Sequence, residues 1–139
     1  MTRLRIGTDH EGLSLTPDAE FTGAPPDVLQ ADLNLTGLAV TVRVVQHYAT
    51  GFIDLADFFD RLARDWRGWD GAREWESLEG DLKIEAKHIY GHVRLRVTVR
   101  RFLADWGNDG WSATGDLTID PGEQMAQIAT NARILAEGS

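Results

Sequence analysis

The stretch Leu82–Phe102, "LKIEAKHIYGHVRLRVTVRRF", decides the fold. Leu82, Ile84 and Ala86 alternate with Lys83, Glu85 and Lys87. Beyond Gly91, Val93, Leu95, Val97 and Val99 alternate with Arg94, Arg96, Thr98 and Arg100. A period of two residues sends the aliphatic set to one face of a sheet and the charged set to the other. The stretch therefore reads as two long antiparallel strands joined by a tight turn. Its charged face is wet, so the sheet needs a cover on one side only.

Two amphipathic segments supply that cover. In 55–66, "LADFFDRLARDW", Leu55, Phe58, Phe59, Leu62, Ala63 and Trp66 follow the 3.6-residue period. Asp54 is placed as N-cap and Asp57 as the acidic N3 residue, with Asp57–Arg61 and Asp60–Arg64 as i,i+4 pairs. In 121–136 the stripe is Met125, Ile128, Ala129, Ala132 and Leu135. Asp120 reads as its cap, Pro121 as N1 and Glu123 as N3, with Gly138 and Ser139 as a frayed end.

Upstream, residues 3–7 and 13–16 read as short strands around the turn residues Asp9–Gly12. Residues 17–27 hold three of the four prolines and read as a surface loop. Residues 29–35 and 38–48 form two further strands across Thr36–Gly37, with Val40, Val42 and Val44 on one face. The chain re-enters sheet between Glu74 and Leu78, and Gly80 reads as a bulge or a close crossing. After the central hairpin, a turn at 106–111 leads to a strand through Ile119. The expected order is β-β-β-β-α-β-β-β-α, without an internal repeat. The fold class is α+β: a mainly antiparallel sheet of five to seven strands with two helices packed on one face, forming a single domain over 1–139.

The chain carries 22 acidic and 14 basic side chains, a net charge of −8. That balance disfavours long-range attraction to nucleic acid or anionic membrane and suits a basic protein partner. Cysteine is absent, so disulfides and thiolate nucleophiles are excluded. The N-terminus lacks the apolar run of a signal peptide and no stretch approaches a transmembrane span, so a cytoplasmic location is expected.

Chemistry is sparse. The connection 66–79, "WRGWDGAREWESLE", holds Trp69 and Trp75, with Arg67 and Arg73 placed to lie over their rings or to bridge Asp70 and Glu74. Both tryptophans suit a plug that closes helix against sheet, and both suit a contact surface. Glu74, Glu76, Glu79 and Asp81 form an acidic run that reads as solvated or paired to Arg and Lys; Glu79, beside Gly80 and directly ahead of an apolar strand, is its one candidate for acid/base work. His88 and His92 flank the central turn, but no HExxH or comparable ligand set accompanies them. No phosphate-binding glycine loop and no GxSxG is present, so no cofactor, metal or catalytic residue is assigned. Arg94, Arg96 and Arg100 lack interleaved aromatics; cross-strand pairing with Glu85 and Asp116 accounts for them.

The pattern W-x-GW-x-G-x-x-x-W, S-x-E, strand, "GH" turn, strand, W-x-A and "PGE" helix start is carried by Trp66, Gly68, Trp69, Gly71, Trp75, Ser77, Glu79, Gly91, His92, Trp111, Ala113, Pro121, Gly122 and Glu123. On these residues the chain resembles a family of small actinobacterial proteins carrying a domain of unknown function, family 6228. The resemblance covers residues 52–131 well and implies one compact domain. It implies no catalytic or binding assignment. Small α+β proteins of this kind resemble toxin-immunity or accessory interaction proteins.

The expected function is a non-enzymatic interaction or accessory module binding a protein partner or itself, with an immunity-like role as one form of it. Its candidate binding residues are Trp69, Trp75, Glu79, Arg67, Arg73 and His92. The alternative is a small-molecule site built from Trp69, Trp75 and Glu79, and a third reading is a hydrolase using Glu79 and His92.

Overall fold

The computed structural model describes residues 3–20, 23–101 and 110–138. Within them the strands are β1 (Leu4–Gly7), β2 (Gly12–Pro17), β3 (Val28–Leu35), β4 (Leu38–Val45), β5 (Ala72–Glu76), β6 (Leu82–Ile89), β7 (His92–Arg101) and β8 (Trp111–Ile119). The helices are α1 (Ile53–Arg64), which follows β4, and α2 (Glu123–Glu137), which follows β8. The turn expected at 106–111 lies outside the described residues except for its end.

The strands form two four-stranded antiparallel sheets, ordered β1-β2-β3-β4 and β5-β6-β7-β8. A single sheet of five to seven strands is therefore the wrong architecture, although the α+β class and the antiparallel pairing hold. The additional strand is β5. Its sequence AREWE has no aliphatic alternation, and its pairing is fixed by register, with Trp75 opposite Ile84 and Glu74 opposite Glu85. Gly80 belongs to the β5–β6 turn rather than to a bulge: its N–H donates to the Ser77 carbonyl at 3.0 Å.

Each half of the chain is a four-stranded meander followed by a helix, so the topology repeats. The repeat is invisible in the side chains, because simple alternation is common to all such strands and the halves place their long loops differently.

The period-two reading of the central hairpin holds. Val93, Leu95, Val97 and Val99 are fully buried, and their registers set Leu95 between Ala86 and Leu117. Sheet one does the same with Leu4, Ile6, Leu13, Leu15, Leu29, Ala31 and Leu33. Both apolar faces and both helices contribute to one hydrophobic cluster. The helices pack on each other, α1 also against β5 and α2 against β1. Phe58 and Phe59 stand edge to face, 5.3 Å between ring centroids, both buried. The two sheets meet where Leu35 reaches β8. A Cβ on Gly115 would lie 2.2 Å from Leu35 Cδ1, so the absent side chain makes room for the leucine.

The helix ends differ from the sequence reading. Phe52 is buried and occupies the N-cap of α1, and its carbonyl accepts the Leu55 and Ala56 N–H groups. Burying that ring starts the helix ahead of Asp54, which sits in the first turn instead of capping. Asp57 and Asp60 do not pair along α1; both accept hydrogen bonds from Arg133 of α2, tying the helices together. Gly122 is the α2 N-cap, and Asp120 receives the returning side chain of Gln124 on its N–H at 2.9 Å. Gly138 does not fray: in the left-handed region, it donates to the carbonyls of Ile134 and Leu135. Among the described residues no helix is long and apolar enough to cross a membrane.

Candidate functional site

The end of sheet two that carries the β6–β7 turn gathers most of the residues singled out in the sequence. Gly71 leads into β5 there, and Ala72, the first residue of the strand, pairs with Lys87. The α1–β5 connection therefore crosses the rim beside His88. His88 Nε2 donates to the Trp66 carbonyl at 3.0 Å, which fixes the proton on that nitrogen. Its ring meets Trp69 edge to face, at 5.4 Å between centroids. The Arg73 guanidinium lies 4.7 Å from the Trp69 ring and pairs with Asp65 at 2.8 Å. Arg67 lies 4.9 Å from the Trp66 ring. Trp66 is 49% exposed and Tyr90, at the tip of the neighbouring turn, is 98% exposed.

The six candidate residues separate. Arg67, Trp69, Arg73 and His92 share this end. Trp75 points inward from β5, is 7% exposed and belongs to the core. Glu79 lies in the β5–β6 turn, at the other end of β5. Trp69, Trp75 and Glu79 thus do not face one space. Glu79 and His92 are separated by the eight residues of β6, a span of more than about 20 Å. That distance removes the hydrolase pairing. His88 and His92 also diverge. His88 pairs with inward-facing Val93, whereas His92 lies opposite Ile89 on the outer face and donates from Nδ1 to the Tyr90 carbonyl at 3.3 Å.

Two features were not legible in the sequence. Trp66 belongs to the apolar stripe of α1 by periodicity, yet the helix ends at Arg64 and leaves its ring half in solvent. The indole N–H groups of Trp69 and Trp75 are buried without an acceptor among the described residues. Nothing in residue spacing announces either feature.

The outer face of sheet two is mostly an ion-pair lattice. Arg96 forms a two-pronged contact with Asp116 at 2.9 and 3.2 Å and sits opposite Glu85. Arg100 pairs with Glu76 at 2.9 Å. These contacts agree with the cross-strand account of the arginine row, except that Arg94 forms no ion pair among the described residues. Elsewhere, a cleft of about 320 Å³ opens between the sheets at Thr41–Arg43, Asp81, Arg100 and Arg101. Its charges are of both signs, and Arg43 is tied to Asp18 and Glu20 at 3.0 and 2.8 Å. Among the described residues no three His, Asp or Glu side chains group as a metal site.

The carboxylates give stability a pH dependence. The Thr36 N–H donates to Glu11 at 2.9 Å and holds its pKa below the ordinary value. The hydrogen bonds of Arg96 do the same for Asp116. Groups with lowered folded pKa values stabilise the fold above their unfolded values, and that contribution disappears as pH falls through the folded ones. Asp81 acts oppositely. Burial, then Glu79 beside it, raises its pKa, so its contribution is complete at low pH and is lost as pH rises through the folded value. Stability is expected to fall below about pH 4, and Glu11→Gln with Asp116→Asn should flatten that fall. Urea unfolding across acid pH checks it; an unchanged profile in the double variant would refute the assignment.

Two antiparallel meanders sharing a core with a helix pair, with no catalytic constellation apparent among the described residues, define an α+β protein without an evident reaction centre. The chain belongs to the family of unknown function DUF6228, whose family model matches residues 6–139. No curated protein and no solved structure matches the chain.

Proposed function

We propose that the protein is a non-enzymatic accessory module of the cytoplasm that binds a protein partner through the corner formed by Trp66, Arg67, Trp69 and Arg73, with Tyr90 and His92 beside it. The observation that carries this reading is the half-exposed Trp66 ring with Arg67 over it, in a loop held by the His88–Trp66 hydrogen bond. Tryptophan, tyrosine and arginine dominate binding energy at interfaces. A contact loop ordered before binding loses less entropy when the partner arrives. The Asp65–Arg73 pair and the Trp69–His88 contact supply that order. An immunity-like role fits such a module by analogy of fold alone. The small-molecule alternative through Trp69, Trp75 and Glu79 draws no support from their placement at the rim, in the core and at the far end of β5 respectively.

Affinity capture with the full chain tests the reading. The variant Trp66→Ala/Arg67→Ala should weaken retention of a saturable partner by about 30-fold or more, the loss of a hot spot worth about 2 kcal/mol. Its thermal unfolding should stay near wild type, because the altered side chains are exposed. A variant at Gln30, on the outer face of sheet one, should retain the partner. Equal retention by the corner variant and wild type would reject this surface.

A further inference from the structure

We infer that the segment of the partner that meets this corner is acidic, contrary to what the net charge of −8 suggests; the inference rests on the reading of the corner as the contact surface. Charge is distributed unevenly over the molecule. Arg43, Arg73, Lys83, Arg96, Arg100 and Arg133 are all in ion pairs. Arg3, Arg5 and Arg101 form none among the described residues and are spread along the chain; Arg67, Lys87 and Arg94 also form none. All three lie at the β6–β7 turn end of sheet two. Lys87 and Arg94 are direct neighbours in register, and their row is completed by Ala72 and Thr118, neither of them acidic. The two outward rows that follow along the sheet each contain a carboxylate: Glu74, Glu85 and Asp116 in one, Glu76 in the other. Asp65 is already engaged by Arg73, which leaves Asp70 as the loop's carboxylate outside any ion pair. Arg61 and Arg64 form no ion pair among the described residues either, but they share a groove with Asp54, Asp57 and Asp60.

Arg94 strengthens the case. Its Nε is buried and has no acceptor among the described residues. A partly desolvated guanidinium gains more from an incoming carboxylate than a fully hydrated one does. A basic segment would instead meet three cations outside any ion pair, of which Arg94 acts on Asp116 at longer range. Nucleic acid would meet the repulsion of the whole chain before reaching them. An acidic segment meets the same repulsion at a lower charge density, at most one charge per about 3.3 Å against one per about 1.7 Å of duplex, and aromatic Trp66 and Tyr90 offer apolar contact between its charges.

The test uses the full chain and three polyions as probes, with tryptophan fluorescence as the readout: poly-L-glutamate, poly-L-lysine and single-stranded DNA. Poly-L-glutamate should bind saturably and weaken with salt. The triple variant Arg67→Gln/Lys87→Gln/Arg94→Gln should lose this binding by about tenfold or more, as expected for three partly exposed charge contacts. A control with the same net charge, Gln30→Glu/Asn34→Asp/Ala39→Glu, should bind nearly as wild type. Tighter binding of poly-L-lysine or DNA, or equal losses in both triple variants, would overturn the acidic partner. Capture of the natural partner separates the two failures. Loss with Trp66→Ala but not with the Arg67/Lys87/Arg94 variant would leave the surface standing and reject its acidic occupant. No loss with either would reject the surface itself.

Discussion

Phe59→Ala lowers the unfolding free energy by about 3–5 kcal/mol, the cost of emptying a large aromatic site in a packed core. Phe59 is fully buried, touches Phe58 edge to face and lies on the α1 stripe that helps close the shared core. Neither sheet can collapse independently into the space, because their inner faces are joined through the same cluster. A loss of this size is a large fraction of a typical domain's total stability, about 5–15 kcal/mol. Urea titration followed by far-ultraviolet circular dichroism measures it. A cost below about 1 kcal/mol would mean that α1 does not seal the core.

Gly7→Ala destabilises by about 2–5 kcal/mol for a different reason, the sum of backbone strain and overpacking. Gly7 has φ +125°, a conformation that side chains other than glycine rarely adopt. A Cβ there would lie 2.4 Å from the Glu11 carbonyl oxygen and 2.7 Å from Gly12 Cα. These are backbone atoms of the β1–β2 turn and cannot swing aside. The same turn holds Glu11 against the Thr36 N–H, so distortion passes to the β3–β4 turn. Gly37→Ala is the matched comparison. Its φ is +82°, but nothing lies within 4 Å of the added carbon, so strain alone, about 1–2 kcal/mol, is expected. Equal costs for both would show that contact with the β1–β2 turn is not what distinguishes Gly7.

How legible each part was depended on where its physics resides. Val93, Leu95 and Val97 announce their face by alternation, because pleating alone fixes it, and their burial follows. The α1 stripe is likewise local. The division into two sheets is not, because it depends on which edges pair: β4 and β5 are sheet edges, and no residue in either states that fact. β5 itself was nearly silent, having Trp75 as its single large apolar residue. Asp57 and Asp60 looked satisfied by Arg61 and Arg64 one turn away, yet Arg133, 73 residues beyond Asp60, takes both. Tertiary contact overrides the weak i,i+4 pair, which is worth about 0.2–0.5 kcal/mol. The candidate surface was half visible. Trp69, Arg67, Arg73 and His92 were picked out by residue type. The inward turn of Trp75, the distance of Glu79 and the adjacency of Lys87 and Arg94 depend on registers that only the fold supplies.

The most direct test of the contact surface places a photo-crosslinking side chain at position 67 and, in a second variant, at position 30, followed by irradiation in the native cell. Position 67 should yield one discrete covalent species, whose attachment site, mapped by mass spectrometry, lies in an acid-rich segment; position 30 should yield none. A discrete species from position 30 and none from position 67 would contradict the assignment of this corner as the surface through which the protein acts.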